Sequence, residues 1–147
     1  MGDIAPVAAK VQGYLQDLSI KYMVEAPGEF SLGYNSTHMF IRIWTRDPDS
    51  TASPVNVRFS VPILYGPRDE PELYEYIAFH ADDYVFGHLS LFRTDDGELR
   101  IFYTHTLLGD YLDADEFTRA CLGMAHVADD LDDELQTRFG GVRFHES

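Results

Sequence analysis

The chain has 147 residues, of which 25 are acidic and 11 are basic, giving a formal net charge of −14. A field of this sign repels nucleic-acid phosphates and anionic lipid surfaces, so we expect neither nucleic acid nor a membrane as a partner. The length and the 45% hydrophobic content exclude a disordered chain and predict one folded domain over residues 1–147.

The first part of the chain predicts one helix and one interrupted strand. Apolar side chains at helical spacing predict a helix over about residues 5–19, and Pro6 suits its first turn. Two short alternating runs follow, at residues 22–24 and 30–34. Because Pro27, Gly28 and Glu29 separate these runs, we interpret them as one broken strand.

Two clearer strands follow. Residues 39–44 alternate, with apolar odd positions and with Phe40, Arg42 and Trp44 at the even positions. After a predicted loop at residues 47–50, every odd position from 55 to 63 is apolar, which predicts a half-buried strand. Pro62 has no N–H to donate, so we expect the end of this strand at a sheet edge or beyond the pairing.

The remaining elements complete an α+β pattern. Helical spacing over about residues 69–84 predicts a second helix, and Asp96-Gly97 between two alternating runs predicts a β-hairpin. Asp113 or Asp115 caps a long last helix, which ends at residues 140–141, two glycines. The order is α-β-β-β-α-β-β-α. We predict a five-stranded, mainly antiparallel sheet with helices one and three on its aliphatic face.

A family resemblance is concentrated in the last third of the chain. It rests on the runs FGHLSL at residues 86–91, DDGELRI at residues 95–101 and YLD at residues 111–113, and on the helix end at residues 128–141. With the order of elements, these runs resemble the type III secretion chaperone family, including the Tir chaperones and YbjN-like proteins. The resemblance implies a non-enzymatic cytosolic chaperone, often a homodimer, that holds a segment of a partner polypeptide. It implies no catalytic residue and no cofactor.

Location and cysteine content fit this expectation. The opening residues lack the basic start and apolar run of a signal peptide, and no stretch approaches the roughly 18 apolar residues of a membrane span. We therefore expect a cytoplasmic protein. Cys121 is the one cysteine, so an internal disulfide is excluded, and no CxxC pair suggests structural zinc.

No common catalytic or phosphate-binding motif occurs in the sequence. His126 and Asp130 are four residues apart, but a solvated acidic helix face explains this pair, and we predict no metal site. A small hydrolase or metal-binding enzyme stays open as an alternative. It requires a deep pocket in which at least two of four side chains converge. These are His80, Asp82, His105 and Asp110.

The second face of the predicted sheet is the least ordinary feature. Aromatic and arginine side chains, which protein interfaces favour, share this face. They are Phe40, Arg42, Trp44, Arg58, Phe92, Arg100 and Phe102. We predict that another polypeptide binds on this face, or at the edge near Phe40, Arg42 and Trp44, as an extended or helical segment. Two alternatives stay open: helix two or three covers the face, or the protein is a regulatory or structural homodimer without a client.

Overall fold

The structure is a computed structural model that describes residues 3–146. The elements are, in chain order, α1 (Ala5–Asp17), β1 (Tyr22–Ala26), β2 (Glu29–Tyr34), β3 (Thr37–Thr45), β4 (Val55–Tyr65), α2 (Pro71–His80), β5 (His88–Arg93), β6 (Leu99–Leu108), α3 (Ala114–Phe139) and a short 3₁₀ helix (Phe144–Glu146). The strands form one sheet in the order β1-β2-β3-β4-β6-β5, and every described pair of neighbours is antiparallel.

The α+β fold class is confirmed, but the predicted number of five strands is wrong. The stretch interpreted as one broken strand is a hairpin, in which β1 pairs antiparallel with β2. Pro27-Gly28 forms its two-residue turn, and Gly28 has φ of +77°. The two runs look continuous in sequence because their alternation keeps the same parity on both sides of the turn. A tight turn with a glycine at positive φ reverses the chain.

The prediction that the third strand ends at an edge or beyond the pairing is correct on one side of the strand only. This strand is β4, and it lies inside the sheet between β3 and β6. Its pairing with β3 ends at Phe40 and Ser60, so Pro62 lies beyond that ladder on one side. On the other side Pro62 still lies opposite Phe102, and the register shifts directly after it. A local irregularity therefore accommodates the missing N–H within an interior strand.

The predicted helices keep their places, but two of them are shorter than expected. α1 ends at Asp17, before Ser19 takes a positive φ of +56°. α2 ends at His80 rather than near residue 84. The apolar spacing that suggested a longer helix continues to Tyr84. This residue lies outside the helix, and its ring packs 5.2 Å from the ring of Tyr103. Burial of the ring against the sheet therefore produces the same spacing as another helical turn.

Helices α1 and α3 pack on the aliphatic face of the sheet, as predicted. Asp113 caps α3 by accepting a hydrogen bond from the Glu116 N–H at 2.8 Å. On that face the Phe117 ring lies 5.6 Å from Phe59, while Tyr14 of α1 packs against Phe117 at 5.5 Å. α2 contributes the fully buried Leu73 to the same core. No described helix is both long and apolar enough to cross a membrane.

The β2–β3 turn is tied to α3 by two carboxyl groups. The Ser36 hydroxyl lies 2.7 Å from Asp129 Oδ1 and 2.8 Å from Asp132 Oδ2. Burial raises the pKa of Asp132, whereas the hydrogen bonds from Ser36 lower the pKa of Asp129. Because one hydroxyl donates one hydrogen bond, Ser36 serves as donor to Asp129 or to Asp132 at any one time, and either bond ties the turn to α3.

Candidate functional site

The face of the sheet opposite α3, here called the outer face, carries the seven side chains predicted to bind a partner. The cross-strand pairs on this face include Phe40 with Ser60 and Arg42 with Arg58. Farther along, Phe92 lies opposite Arg100. The neighbouring register positions, which point to the other face, hold the buried core pair Ile41 and Phe59. The remaining predicted side chains follow the same alternation, and they are Trp44 and Phe102.

The part of the outer face on β3 and β4 contains a cavity of about 660 Å³ that Phe40, Arg42 and Arg58 line together. Arg42 is 3.7 Å from Glu29, and both side chains are well exposed. Arg58 lies directly opposite Arg42 and has no ion pair among the described residues. Like charges in a cross-strand pair destabilise a sheet, so this position is not optimised for stability.

Trp44 lies at the end of β3, where the chain enters the loop to β4. It lines a second cavity, of about 630 Å³, with Pro48 and Asp49 of the loop. The Thr45 and Ser53 hydroxyls, 2.8 Å apart, hold the two ends of the loop together. Trp44 is only partly exposed, so it contributes to packing as well as to the surface.

The part of the outer face on β5 and β6 is built around Phe102. Its ring lies 5.2 Å from Phe92 and 6.3 Å from Tyr65. The Arg100 guanidinium lies 4.2 Å above the Tyr65 ring, in cation–π geometry, and its Nε is 3.4 Å from Glu98. Burial raises the pKa of Tyr65, and the nearby Arg100 opposes this shift. Two arginine-bearing aromatic groups therefore lie on one face.

Phe144 of the C-terminal 3₁₀ helix connects the two groups. Its ring is 6.2 Å from Tyr65, 5.6 Å from Phe40 and 4.9 Å from His38. Burial lowers the pKa of His38, which favours a neutral ring between two aromatic neighbours. Cover by helix two or three was the alternative left open, and both helices pack on the other face. A short C-terminal segment covers part of the outer face instead.

Three residues of this face were missed by the sequence argument. His38 has the same parity as Phe40 and Arg42, so the alternation contained its signal. Tyr65 has the parity of the core positions of β4, and the register shift after Pro62 moves it to the outer face. Phe144 lies in a three-residue 3₁₀ helix, which is too short to have a hydrophobic period.

Three of the four alternative catalytic residues have separate local partners. His80 Nδ1 lies 2.8 Å from Asp83 at the surface. His105 Nδ1 accepts a hydrogen bond from the Gly87 N–H at 2.9 Å, and burial lowers its pKa. Asp110 accepts from the Val55 N–H at 3.0 Å. The cavity that His80 lines is bordered by none of the other three.

Metal and thiol chemistry find no support in the described part of the chain. No group of three or more potential metal ligands occurs among residues 3–146. Burial raises the pKa of the Cys121 thiol to about 12, and its Sγ lies 3.8 Å from Met39 Sδ in the core. A thiol in that environment is protonated at neutral pH and is a poor nucleophile.

Comparisons with known proteins agree with the fold described above. Residues 5–147 match the family TY-Chap1, described as T3SS (YopN, CesT) and YbjN peptide-binding chaperone 1. The crystal structure of YbjN from E. coli, described as a candidate transcription regulator, aligns with a TM-score of 0.68 at 11% identity. The alignment covers 90% of this chain and 93% of YbjN, and at that identity it shows the fold alone. No curated protein has a significantly similar sequence. The resemblance inferred from the sequence is confirmed.

Proposed function

Because the chain belongs to the family of T3SS and YbjN peptide-binding chaperones, we propose that it holds a segment of a partner polypeptide on its outer face without catalysing a reaction. One observation carries the choice of this face. No described α-helix covers it, although it presents aromatic and arginine side chains. Such side chains bury a large area and lose little conformational entropy, which makes them effective contacts in interfaces.

The charges on this face favour a partner segment with an acidic group. Arg58 lies opposite Arg42, and a carboxylate placed between them would relieve their repulsion. The cavity of about 660 Å³ at this point gives a side chain access to both guanidinium groups. The predicted partner is therefore a peptide segment that combines an aromatic side chain with a nearby Asp or Glu.

Site-specific cross-linking in the native host tests this function. A photoreactive phenylalanine derivative replaces Phe92, which is 44% exposed on the outer face, or Phe79, which is 76% exposed on α2 and serves as the matched control. We expect position 92 to capture one recurring polypeptide segment, which peptide sequencing identifies, and position 79 to capture none preferentially. Equal capture at both positions would argue against the outer face as the binding site.

The same cross-linking method distinguishes binding of a client from a homodimer without a client. If position 92 captures no recurring segment while the same derivative at Val24 of β1 captures further copies of this chain, the regulatory or structural homodimer without a client is the correct function. We also propose that a homodimer, where it forms, uses the edge strand β1. Met23 and Val24 of this strand are 62% and 54% exposed. An exposed apolar edge strand readily pairs with a second chain.

A further inference from the structure

The pairing between β3 and β4 ends before either strand does. Their ladder runs from Thr45 and Val55 to Phe40 and Ser60, although β3 begins at Thr37 and β4 continues to Tyr65. Beyond Ser60, β4 pairs with β6 on one side only. Pro62 cannot donate a ladder hydrogen bond, which is consistent with the end of pairing at this point. The result is a fork between β3 and β4, bounded by residues 37–40 and 60–65.

The chain's own C-terminal segment fills this fork as a bound peptide would. The Tyr65 N–H donates to the Val142 carbonyl at 2.8 Å, and the Val142 N–H donates to the Tyr65 carbonyl at 2.9 Å. This is an antiparallel bridge at the unpaired side of β4. Two residues later, Phe144 packs between β3 and β4 against His38, Phe40 and Tyr65. Backbone pairing combined with a seated side chain is how peptides add to sheets.

The segment is joined to α3 through two consecutive glycines with positive φ. Gly140 has φ of +73° and Gly141 has φ of +85°. A Cβ on Gly141 would lie 2.8 Å from the Tyr65 carbonyl oxygen, so the seated position requires glycine there. Arg143 contacts Asp133 at 2.6 Å, and His145 Nδ1 lies 3.1 Å from the Ser36 carbonyl oxygen. Apart from Phe144, the contacts are mainly polar and near the surface, and local opening of such a segment costs less than global unfolding.

We propose that the fork is a subsite for an aromatic residue of the client and that Phe144 occupies it until a client segment displaces the C-terminus. This inference rests on the proposed function and adds the regulation of its site. The client pairs its backbone with Tyr65 and inserts an aromatic side chain two residues farther along. The C-terminal segment then competes with every client, which weakens the apparent affinity in proportion to the occupied fraction.

A peptide titration of the 147-residue chain tests the subsite without a client. The probe is a synthetic peptide of residues 140–147, and a second peptide carries Ala in place of the phenylalanine. Both are titrated by NMR into ¹⁵N-labelled wild-type protein, Phe144→Ala and the matched control Phe79→Ala, whose exposed ring lies on α2. Gly141→Ala is a second test variant, because its Cβ would expel the segment without altering Phe144.

We expect the amide signals of His38, Phe40 and Tyr65 to shift in Phe144→Ala and Gly141→Ala at peptide concentrations roughly tenfold lower than in the wild type. Phe79→Ala should behave as the wild type, and the alanine peptide should shift none of these signals. Millimolar peptide is used as the upper limit, because a tethered segment competes at that effective concentration. Equal responses of all folded variants, or no response at that limit, would overturn the proposal.

This outcome is distinct from failure of the proposed function. If the peptide binds the variants but cross-linking at position 92 captures no partner, the subsite exists and the client does not. If a captured partner segment binds the wild type and Phe144→Ala with equal affinity, the client exists and does not compete with Phe144. The second result refutes the present inference and leaves the proposed function standing.

Discussion

Replacing Arg58 by Gln tests whether the outer face is organised for binding at the expense of stability. Arg58 is exposed and lies directly opposite Arg42 on the neighbouring strand. A like-charge pair in this position destabilises a sheet by about 0.2–1 kcal/mol. Both side chains are well exposed to solvent, so screening places the cost near the lower end of that range. The Gln variant should therefore unfold with an unchanged free energy, or with one raised by about 0.5 kcal/mol at most.

The same change should weaken partner binding. A hydrogen bond between a guanidinium and a carboxylate contributes about 1.5–3 kcal/mol where it is sheltered from water. At this open site we expect the lower part of that range, which corresponds to a loss of affinity of about tenfold. Urea denaturation measures the stability, and fluorescence anisotropy with the segment recovered by cross-linking measures the affinity. Arg119→Gln is the matched control, because Arg119 is an exposed arginine on α3, 3.0 Å from Asp115.

Two results would refute the reasoning. If Arg58→Gln loses more than about 1 kcal/mol of unfolding free energy, the side chain supports the fold and its cross-strand repulsion is not the dominant effect. If affinity is unchanged while Arg119→Gln behaves identically, the paired arginines do not receive an acidic group of the partner.

Three further predictions follow from individual side chains. Trp44 is partly exposed, so Trp44→Ala should lower the free energy of unfolding by less than the loss of about 3–5 kcal/mol that is typical of a fully buried aromatic residue. Urea denaturation measures this loss, and a larger value would make Trp44 a core residue. Burial raises the pKa of Asp132, so this carboxyl should contribute a loss of stability as pH rises from the usual aspartate range through its raised pKa. The free energy of unfolding of Asp132→Asn relative to the wild type should therefore be higher at pH 8 than at pH 4, and an equal difference at both pH values would contradict this. Light scattering should report twice 16.7 kDa for the wild type and a monomer for Val24→Lys, and a monomeric wild type at every concentration would exclude the homodimer.

The sequence predicts the outer face well because alternation is a direct consequence of strand geometry. Odd apolar positions in β4 require even positions on the opposite face, and the same parity in β3 and β6 places the seven predicted side chains together. The strand count fails where Pro27-Gly28 reverses the chain without changing parity. The alternation assigns Tyr65 to the core face, but it lies on the outer face because one register shift exchanges the two faces.

The position of the C-terminal segment on this face could not be predicted from sequence patterns, for a different reason. The backbone bridge between Val142 and Tyr65 and the ring contacts of Phe144 across strands place this segment, and all of them join residues far apart in sequence. No local propensity contains that information. A proline inside an interior strand was the available signal, because it implies that pairing is interrupted and that another group fills the gap.

The net charge of the chain and the arginines of the outer face act on a partner at different distances. The net charge of −14 acts over long distances and favours basic partners, but at physiological salt it is screened beyond about 8 Å. Within that distance a partner on the outer face meets Arg42, Arg58 and Arg100. Arg42 and Arg100 already lie beside Glu29 and Glu98, so Arg58 is the position at which we expect an acidic group at contact, even though the overall field slows its approach. A client with an acidic residue beside its aromatic anchor and basic residues elsewhere would satisfy both fields at once.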